Sequence, residues 1–170
     1  MTTKVIDRDL GWSRIMGTLH KMTGNKDLYV GIQGPEAAAV VHDGPVTNVM
    51  LAVVHEFGAT VSNAFGKGIV AVIPERSFLR SNFDENNTTY ARLLETGLGR
   101  VVDGKMSALQ LMAQVGEKAV SDVKQRIASA KVKQDLKPAT VAARKRRGNP
   151  PGPALQETQQ LRDSVTWVIR

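Results

Sequence analysis

The sequence predicts an α+β fold: a small, mainly antiparallel sheet packed against two to four helices, with an extended basic segment before a C-terminal strand. Apolar residues recur every three or four positions in several long stretches, as on one face of a helix, and alternate with polar residues in short ones, as in a strand. The 170 residues are enough for one domain with its own hydrophobic core. We therefore expect a single structural domain, 1–170, in which residues 131–153 form a basic loop or arm rich in Pro and Gly.

The first elements are a helix and a strand. Apolar residues spaced by three and four predict a helix over residues 7–22, and Gly24 is suited to the left-handed conformation that follows a helix end. Residues 27–33 alternate in the manner of a strand, which Gly34-Pro35 then ends.

A second helix is predicted over residues 46–57, followed by a β-hairpin over residues 60–73 with its turn around Gly66-Lys67-Gly68. The helix has a wide apolar stripe, which predicts that it is mostly buried. The residues of this stripe are Val46, Val49, Met50, Val53, Val54 and Phe57.

Two longer helices are predicted over residues 77–102 and 107–130, and residues 86–89 are weak helix formers that allow a break in the first. The stripe of the second helix comprises Leu109, Met112, Val115, Ala119, Val120, Val123 and Ile127. A helical turn around residues 157–163 then leads into a last strand, 164–169, with one face on the core.

The net charge of +7 is concentrated in the last quarter of the chain. Residues 131–170 contain nine basic and three acidic residues, so they carry +6 of that total. A short helix is predicted over residues 140–147, with Thr140 as its cap. The expected contact residues for protein or DNA are Lys137, Arg144, Lys145, Arg146 and Arg147. Phosphate contact, docking on an acidic protein surface and a merely solvated loop all remain open.

Few residues suggest catalysis. The chain has no cysteine, and His20, His42 and His55 do not have a metal-binding spacing. His55-Glu56 looks like half of a zinc-protease motif, but position 59 is Ala, so we interpret both residues as capping or pairing near a helix end. The glycines of the hairpin turn lack the spacing of a phosphate-binding loop. The sequence thus predicts a protein that is not an enzyme and needs no metal or cofactor.

Membrane insertion is not expected, because no apolar run approaches the about 18 residues that cross a bilayer. The N-terminus is polar and mixed in charge, without the apolar stretch of a signal peptide. The sequence therefore predicts synthesis in the cytoplasm.

Two short motifs resemble a known family. Val54-His55-Glu56-Phe57-Gly58 ends a helix, and after the hairpin Ile73-Pro74-Glu75-Arg76-Ser77-Phe78-Leu79-Arg80 opens a long one. This order resembles the tail-completion or head–tail joining proteins of long-tailed bacteriophages and the related Mu-type virion morphogenesis proteins. The residues that carry the motif are His55, Glu56, Phe57, Gly58, Pro74, Arg76, Phe78, Leu79 and Arg80.

The C-terminal part is similar to the same family. Leu136-Lys137-Pro138-Ala139-Thr140 and the segment from Pro153 to Ser164 follow the family's order, in which a final strand rejoins the sheet. Gln159 stands where the family usually has Gly. Within the motif, we expect Phe78 and Leu79 to anchor the new helix to the core, and Arg76 and Arg80 to share a helix face and pair with acidic groups.

The resemblance implies a structural virion protein at the phage neck, made in the host cytoplasm. Its subunits would form a ring, by family analogy a hexamer, that completes the tail and joins it to the head connector around the DNA channel. Its partners would be itself and the neighbouring neck, connector and tail proteins, with non-specific contact to duplex DNA as a further expectation. The alternatives are a nucleic-acid-binding protein that uses the basic segment and, third, a hydrolase built around His55 and Glu56.

Overall fold

A computed structural model of the chain describes residues 17, 20–35, 46–64, 68–129, 136–149, 152–156 and 159–170. Its elements are β1 (Leu28–Ile32), α1 (Asn48–Phe57), β2 (Ala59–Ala64), β3 (Ile69–Ile73), α2 (Arg80–Val102), α3 (Ala108–Ala128), α4 (Pro138–Arg146), α5 (Gln160–Asp163) and β4 (Val165–Ile169). This arrangement confirms the predicted α+β class. The predicted helix 7–22 lies outside the described residues except for Gly17 and its last turn, and Gly24 has the expected positive φ of 68°.

The described strands form two antiparallel pairs. β1 pairs with β4, with Leu28 opposite Ile169 and Ile32 opposite Val165, so the last strand joins the first across almost the whole sequence. β2 and β3 form the predicted hairpin as a separate two-stranded sheet, although residues 65–67 of its turn lie outside the described part.

Helix α3 is the centre of the core. It begins at the capping residue Ser107, whose hydroxyl accepts a hydrogen bond from the Gln110 N–H. It packs on the β1–β4 sheet so closely that a Cβ at Gly116 would lie 2.8 Å from Trp167 Cγ. Its buried side chains Val123 and Ile127 share one cluster with Phe78, Leu161 and Val165. The predicted stripe of α3 was wrong at Leu109, which is 40% exposed, whereas Leu111 is buried.

Polar contacts join α2 to α3. The Arg126 guanidinium donates two hydrogen bonds to the Glu85 carboxylate, at 2.6 and 3.1 Å. The Tyr90 hydroxyl accepts from Asn82 Nδ2 at 2.9 Å and donates to Asp122 at 3.1 Å. These contacts hold the first half of α2 against the C-terminal part of α3.

Helix α2 begins at Arg80, three residues later than predicted, and it does not break at residues 86–89. The Asn86 side chain donates to the Asn82 carbonyl and to the Asn82 side-chain oxygen, at 2.9 and 3.1 Å. The side chain of this weak helix former is therefore satisfied within the continuous helix.

The predicted burial of the apolar stripe on α1 was wrong. Val49, Met50, Val53 and Phe57 are between 39% and 62% exposed, and the buried residues are Asn48, Ala52 and Glu56. These three are spaced by four and therefore lie on the opposite face of the helix. This orientation places the Glu56 carboxylate at the start of α2.

Helix α4 confirms that the basic segment contains a short helix, but Thr140 is not its cap. The helix begins at Pro138 after Lys137, and no side chain caps it. Proline is favoured at a first helical position, where its missing N–H would have no intrahelical partner anyway. The helix therefore starts two residues earlier than predicted.

Candidate functional site

The motif residues on the two sides of the hairpin form one joint, which we call the clasp (residues 55–58 and 73–80). Its centre is the Glu56 carboxylate, which accepts hydrogen bonds from three backbone N–H groups, those of Phe78, Leu79 and Arg80, at 2.9 to 3.0 Å. It also accepts from the Ser77 hydroxyl at 2.7 Å. These N–H groups belong to the start of α2, where backbone donors have no intrahelical acceptor and where the helix dipole favours negative charge.

The titration of Glu56 reflects these contacts. Burial acts to raise the pKa of this carboxyl, but the hydrogen bonds from Leu79, Ser77, Arg80 and Phe78 outweigh burial and leave the pKa below its ordinary value. Glu56 thus caps a helix end as predicted, although the helix it caps is α2, 24 residues away in sequence at Arg80.

Arg80 closes the clasp from the outside. Its guanidinium donates to the Glu56 carbonyl at 2.9 Å and to the Glu75 carboxylate at 2.7 Å, and it lies 4.8 Å from the centre of the Phe57 ring. Pairing of Arg80 with acidic groups is therefore confirmed. For Arg76 the same expectation was wrong: this side chain precedes the helix, is buried, and has no acidic partner among the described residues.

Gly58 and Pro74 shape the base of the hairpin. Gly58 has a φ of 73°, and a Cβ there would lie 3.0 Å from Glu75 N and 3.1 Å from Ile73 O. A residue with a side chain would be strained by its backbone and crowded by the returning strand. Just beyond Pro74, the Arg76 N–H donates to the His55 carbonyl at 2.7 Å, which ties the end of α1 to the chain that leaves β3.

Beside the clasp lies a cavity of about 300 Å³. Its cationic and polar lining residues are His55, Arg76, Lys137, Thr140 and Arg144. Its apolar lining residues are Leu51, Val72, Ile73, Pro74, Leu136, Ala154, Leu155 and Leu161. The cavity therefore joins the two groups of residues that the sequence singled out, the motif and the basic segment.

Two buried guanidinium groups line this cavity. Arg76 is 6% exposed and Arg144 is 4% exposed. Arg144 Nη1 donates to the carbonyls of Gly152 and Pro153, at 2.8 and 2.9 Å, which fixes the chain after α4 against it. Lys137 lines the cavity from its exposed rim and donates to the Val72 carbonyl. Lys145, Arg146 and Arg147 do not line it: they are exposed on the last turn of α4 and the residue after it.

The positive charges of Arg76 and Arg144 affect the titration of the cavity residues. Burial, and then the charges of Arg76 and Arg144, lower the pKa of His55 from 6.5 to about 4, so the imidazole is neutral at pH 7. Burial, and then the Arg144 charge, also lower the pKa of Arg76 from its ordinary value. A guanidinium nonetheless stays protonated in proteins, so both charges persist at pH 7.

The outward apolar surface is the feature that sequence reasoning missed. Besides the stripe of α1, the hairpin exposes Val61, Val70 and Val72, by 41 to 60%. Val70 and Val72 lie on one face of the hairpin, and Val61, opposite Ala71, lies on the other. A hairpin with valines on both faces and a helix with its apolar stripe outward are typical of a surface that another protein covers.

Within the described part of the chain, no group of three His, Asp or Glu residues is placed to hold a metal ion, and no helix is long and apolar enough to cross a membrane. Comparisons of the sequence and the structure with family models, curated proteins and solved structures find no match.

Proposed function

We propose that this chain is a structural subunit of a tailed-phage virion, which forms a ring at the neck that completes the tail and joins it to the head connector around the DNA channel. The observation that carries the assembly part of this proposal is the outward apolar surface of α1 and the hairpin. The place in the virion rests on the motif resemblance alone.

The roles of the motif residues support a structural protein. The oxygens of Glu56 are both taken up by the N-terminus of α2 and by Ser77 and Arg80, so this carboxylate is not available as a general base. Among the described residues that line the cavity, no carboxylate is present to orient His55. A hydrolase built on these two residues is therefore disfavoured.

The geometry at Gln159 is consistent with the same family. Gln159 has a φ of 57°, a left-handed conformation that is uncommon for a residue with a side chain. Glycine adopts this conformation at little cost, and it is Gly that the family usually has at this position. The backbone here fits the family pattern even though the residue differs.

A test begins with the mass of the purified protein in solution, alone and with tail tubes that lack it. We expect a ring, or a monomer that becomes a ring on the tube end. Val53→Asp places a charge in the middle of the apolar stripe and should abolish this assembly, because an unpaired charge inside an interface is costly. Val102→Asp is the matched control, since Val102 is 81% exposed at the end of α2. Circular dichroism of both variants would show that the helices are retained.

The second candidate is a nucleic-acid-binding protein, favoured by the exposed Lys145, Arg146 and Arg147 at the end of α4. It predicts a monomer or dimer that ignores tail tubes and shifts duplex DNA at low salt, with binding lost on charge removal at these three positions. That outcome would refute the neck proposal. A monomer that binds neither tubes nor DNA would refute both.

A further inference from the structure

We propose that the outward apolar stripe of α1 docks into an apolar groove on the next copy of the same chain, so that the subunits join head to tail. The stripe comprises the exposed residues Val49, Met50, Val53 and Phe57. This inference rests on the proposed function, since it names the two surfaces that would hold the ring together.

The groove lies between β1, α2 and the first two turns of α3, and its volume is about 230 Å³. Its apolar lining residues are Leu28, Leu94, Ala108, Leu111, Met112 and Val115. Small-molecule sites usually measure about 300–1,000 Å³, so this groove is better sized for one or two side chains of a partner. Leu94 is 38% exposed, so part of the apolar wall is open to solvent.

The stripe and the groove lie at opposite ends of α3. Ala52, on the inward face of α1, packs in the cluster that contains Ile127, near the C-terminal end of α3. The groove is lined by Leu111, near the N-terminal end. At 1.5 Å per residue, Leu111 and Ile127 are about 24 Å apart along the helix axis. A subunit therefore does not fill its own groove with its own stripe, whereas two different surfaces on neighbouring copies form a contact that can close into a ring.

The charges of the two surfaces are compatible with docking. The ionisable residues of α1 are His55, whose lowered pKa leaves it neutral at pH 7, and Glu56, whose carboxylate caps α2. The charged lining residues of the groove, Lys26 and Asp27, are exposed and opposite in sign. Docking of the stripe therefore buries no unpaired charge from α1 and leaves the charged edge of the groove balanced.

The spacing of the stripe favours it over the hairpin as the occupant. Met50, Val53 and Phe57 are at positions i, i+3 and i+7, which are the anchor positions of an amphipathic helix in an apolar groove. The hairpin instead divides its exposed valines between two faces, so that each face offers less apolar surface to a groove.

The test is chemical cross-linking between single-cysteine variants, which is specific because the chain has no cysteine of its own. Met50→Cys carries the thiol in the stripe, and Met112→Cys carries it in the groove. The two variants are mixed, assembled in solution or on tail tubes, and treated with a short bismaleimide, and mass spectrometry identifies the linked peptides. Arg146→Cys replaces Met112→Cys in the matched control, because Arg146 is exposed on α4, away from the groove. We expect at least about tenfold more of the stripe–groove product than of the control product, because docking raises the effective concentration of the two thiols.

Charge substitutions provide the second measurement. Leu94→Asp at the groove and Val53→Asp at the stripe should each weaken assembly at least about a hundredfold, because each places an unpaired charge in the interface. A mixture of the two variants should form a dimer and no ring, since only one intact stripe and one intact groove can meet. If Leu94→Asp does not fold, as judged by circular dichroism, the cross-linking decides alone.

The outcomes separate this docking from the neck proposal. Rings in which Met50→Cys links to itself, or to Val70→Cys on the hairpin, and not to Met112→Cys would overturn the docking and leave the neck proposal standing. Folded Leu94→Asp that assembles like the wild type would do the same. A wild-type chain that assembles neither in solution nor on tail tubes would refute the neck proposal, and the docking with it.

Discussion

Removing the charge of Glu56 should destabilise the fold more than removing any other charge in the clasp. In Glu56→Gln the amide keeps one accepting oxygen, which can retain the contacts of one carboxylate oxygen. The NH2 group would face the N–H groups of Phe78 and Leu79, so these two bonds are lost. A hydrogen bond to a charged group contributes about 1.5–3 kcal/mol, so we expect a loss of at least about 3 kcal/mol in the free energy of unfolding. For a chain of this size that loss lowers Tm by about 6–12 °C.

Urea denaturation of the wild type and the variant at equal protein concentration measures this loss. Glu75→Gln is the control, because Glu75 lies in the same clasp but is exposed, and its ion pair with Arg80 contributes about 1 kcal/mol at most. The effect also has a defined pH dependence. Since the folded state holds the pKa of Glu56 below its ordinary 4.5, its stabilisation is complete above that value and is lost as the pH falls through the folded pKa. A loss below about 1 kcal/mol at pH 7, or one equal to that of Glu75→Gln, would refute the capping role.

Three further changes test other parts of the fold. Gly58→Ala should lower the free energy of unfolding by about 1–3 kcal/mol, because φ is positive there and the added Cβ would crowd Glu75 and Ile73. Urea denaturation measures this loss, and an unchanged midpoint would contradict the prediction. Gly116→Ala should cost about 1–3 kcal/mol in the same assay, because the Cβ would push into Trp167, whereas Gly99→Ala in an open part of α2 should be neutral or stabilising. The pKa of His55, which faces Arg76 and Arg144, is lowered from 6.5 to about 4 in the folded state. Between these pH values the unfolded chain binds more protons, so the free energy of unfolding rises with pH by up to about 3 kcal/mol. A His55→Gln variant with the same pH slope as the wild type would show that another group is responsible.

Most of the local structure follows from the sequence pattern. The hairpin, the start of α3 at Ser107 and the strands β1 and β4 were predicted within one or two residues, because alternation and capping residues act over a few positions. The predicted first residues of α2 and α4 differ from the observed ones, Arg80 and Pro138, by three and two positions. Helix ends are set by which residue first satisfies the backbone donors, and at α2 that residue lies on another helix.

The candidate site was less accessible to prediction. The basic cluster was treated as one unit, but only Arg144 turns inward, and it meets His55 and Arg76 from a distant part of the sequence. Nothing in the spacing of these residues indicates that they share a cavity. The family motif gave a weak signal, since it named both His55 and Arg76, but the resemblance implied only a structural role for them.

Helix α1 separates most clearly what the sequence determined by itself from what only the tertiary structure decided. Its helical periodicity and its apolar stripe are properties of residues 46–57 alone, and they were predicted correctly. Which face points inward was not, because the direction depends on the free energy of placing Glu56 against the bare N–H groups of α2. In the folded chain Asn48, Ala52 and Glu56 point inward, and Val49, Met50, Val53 and Phe57 are exposed.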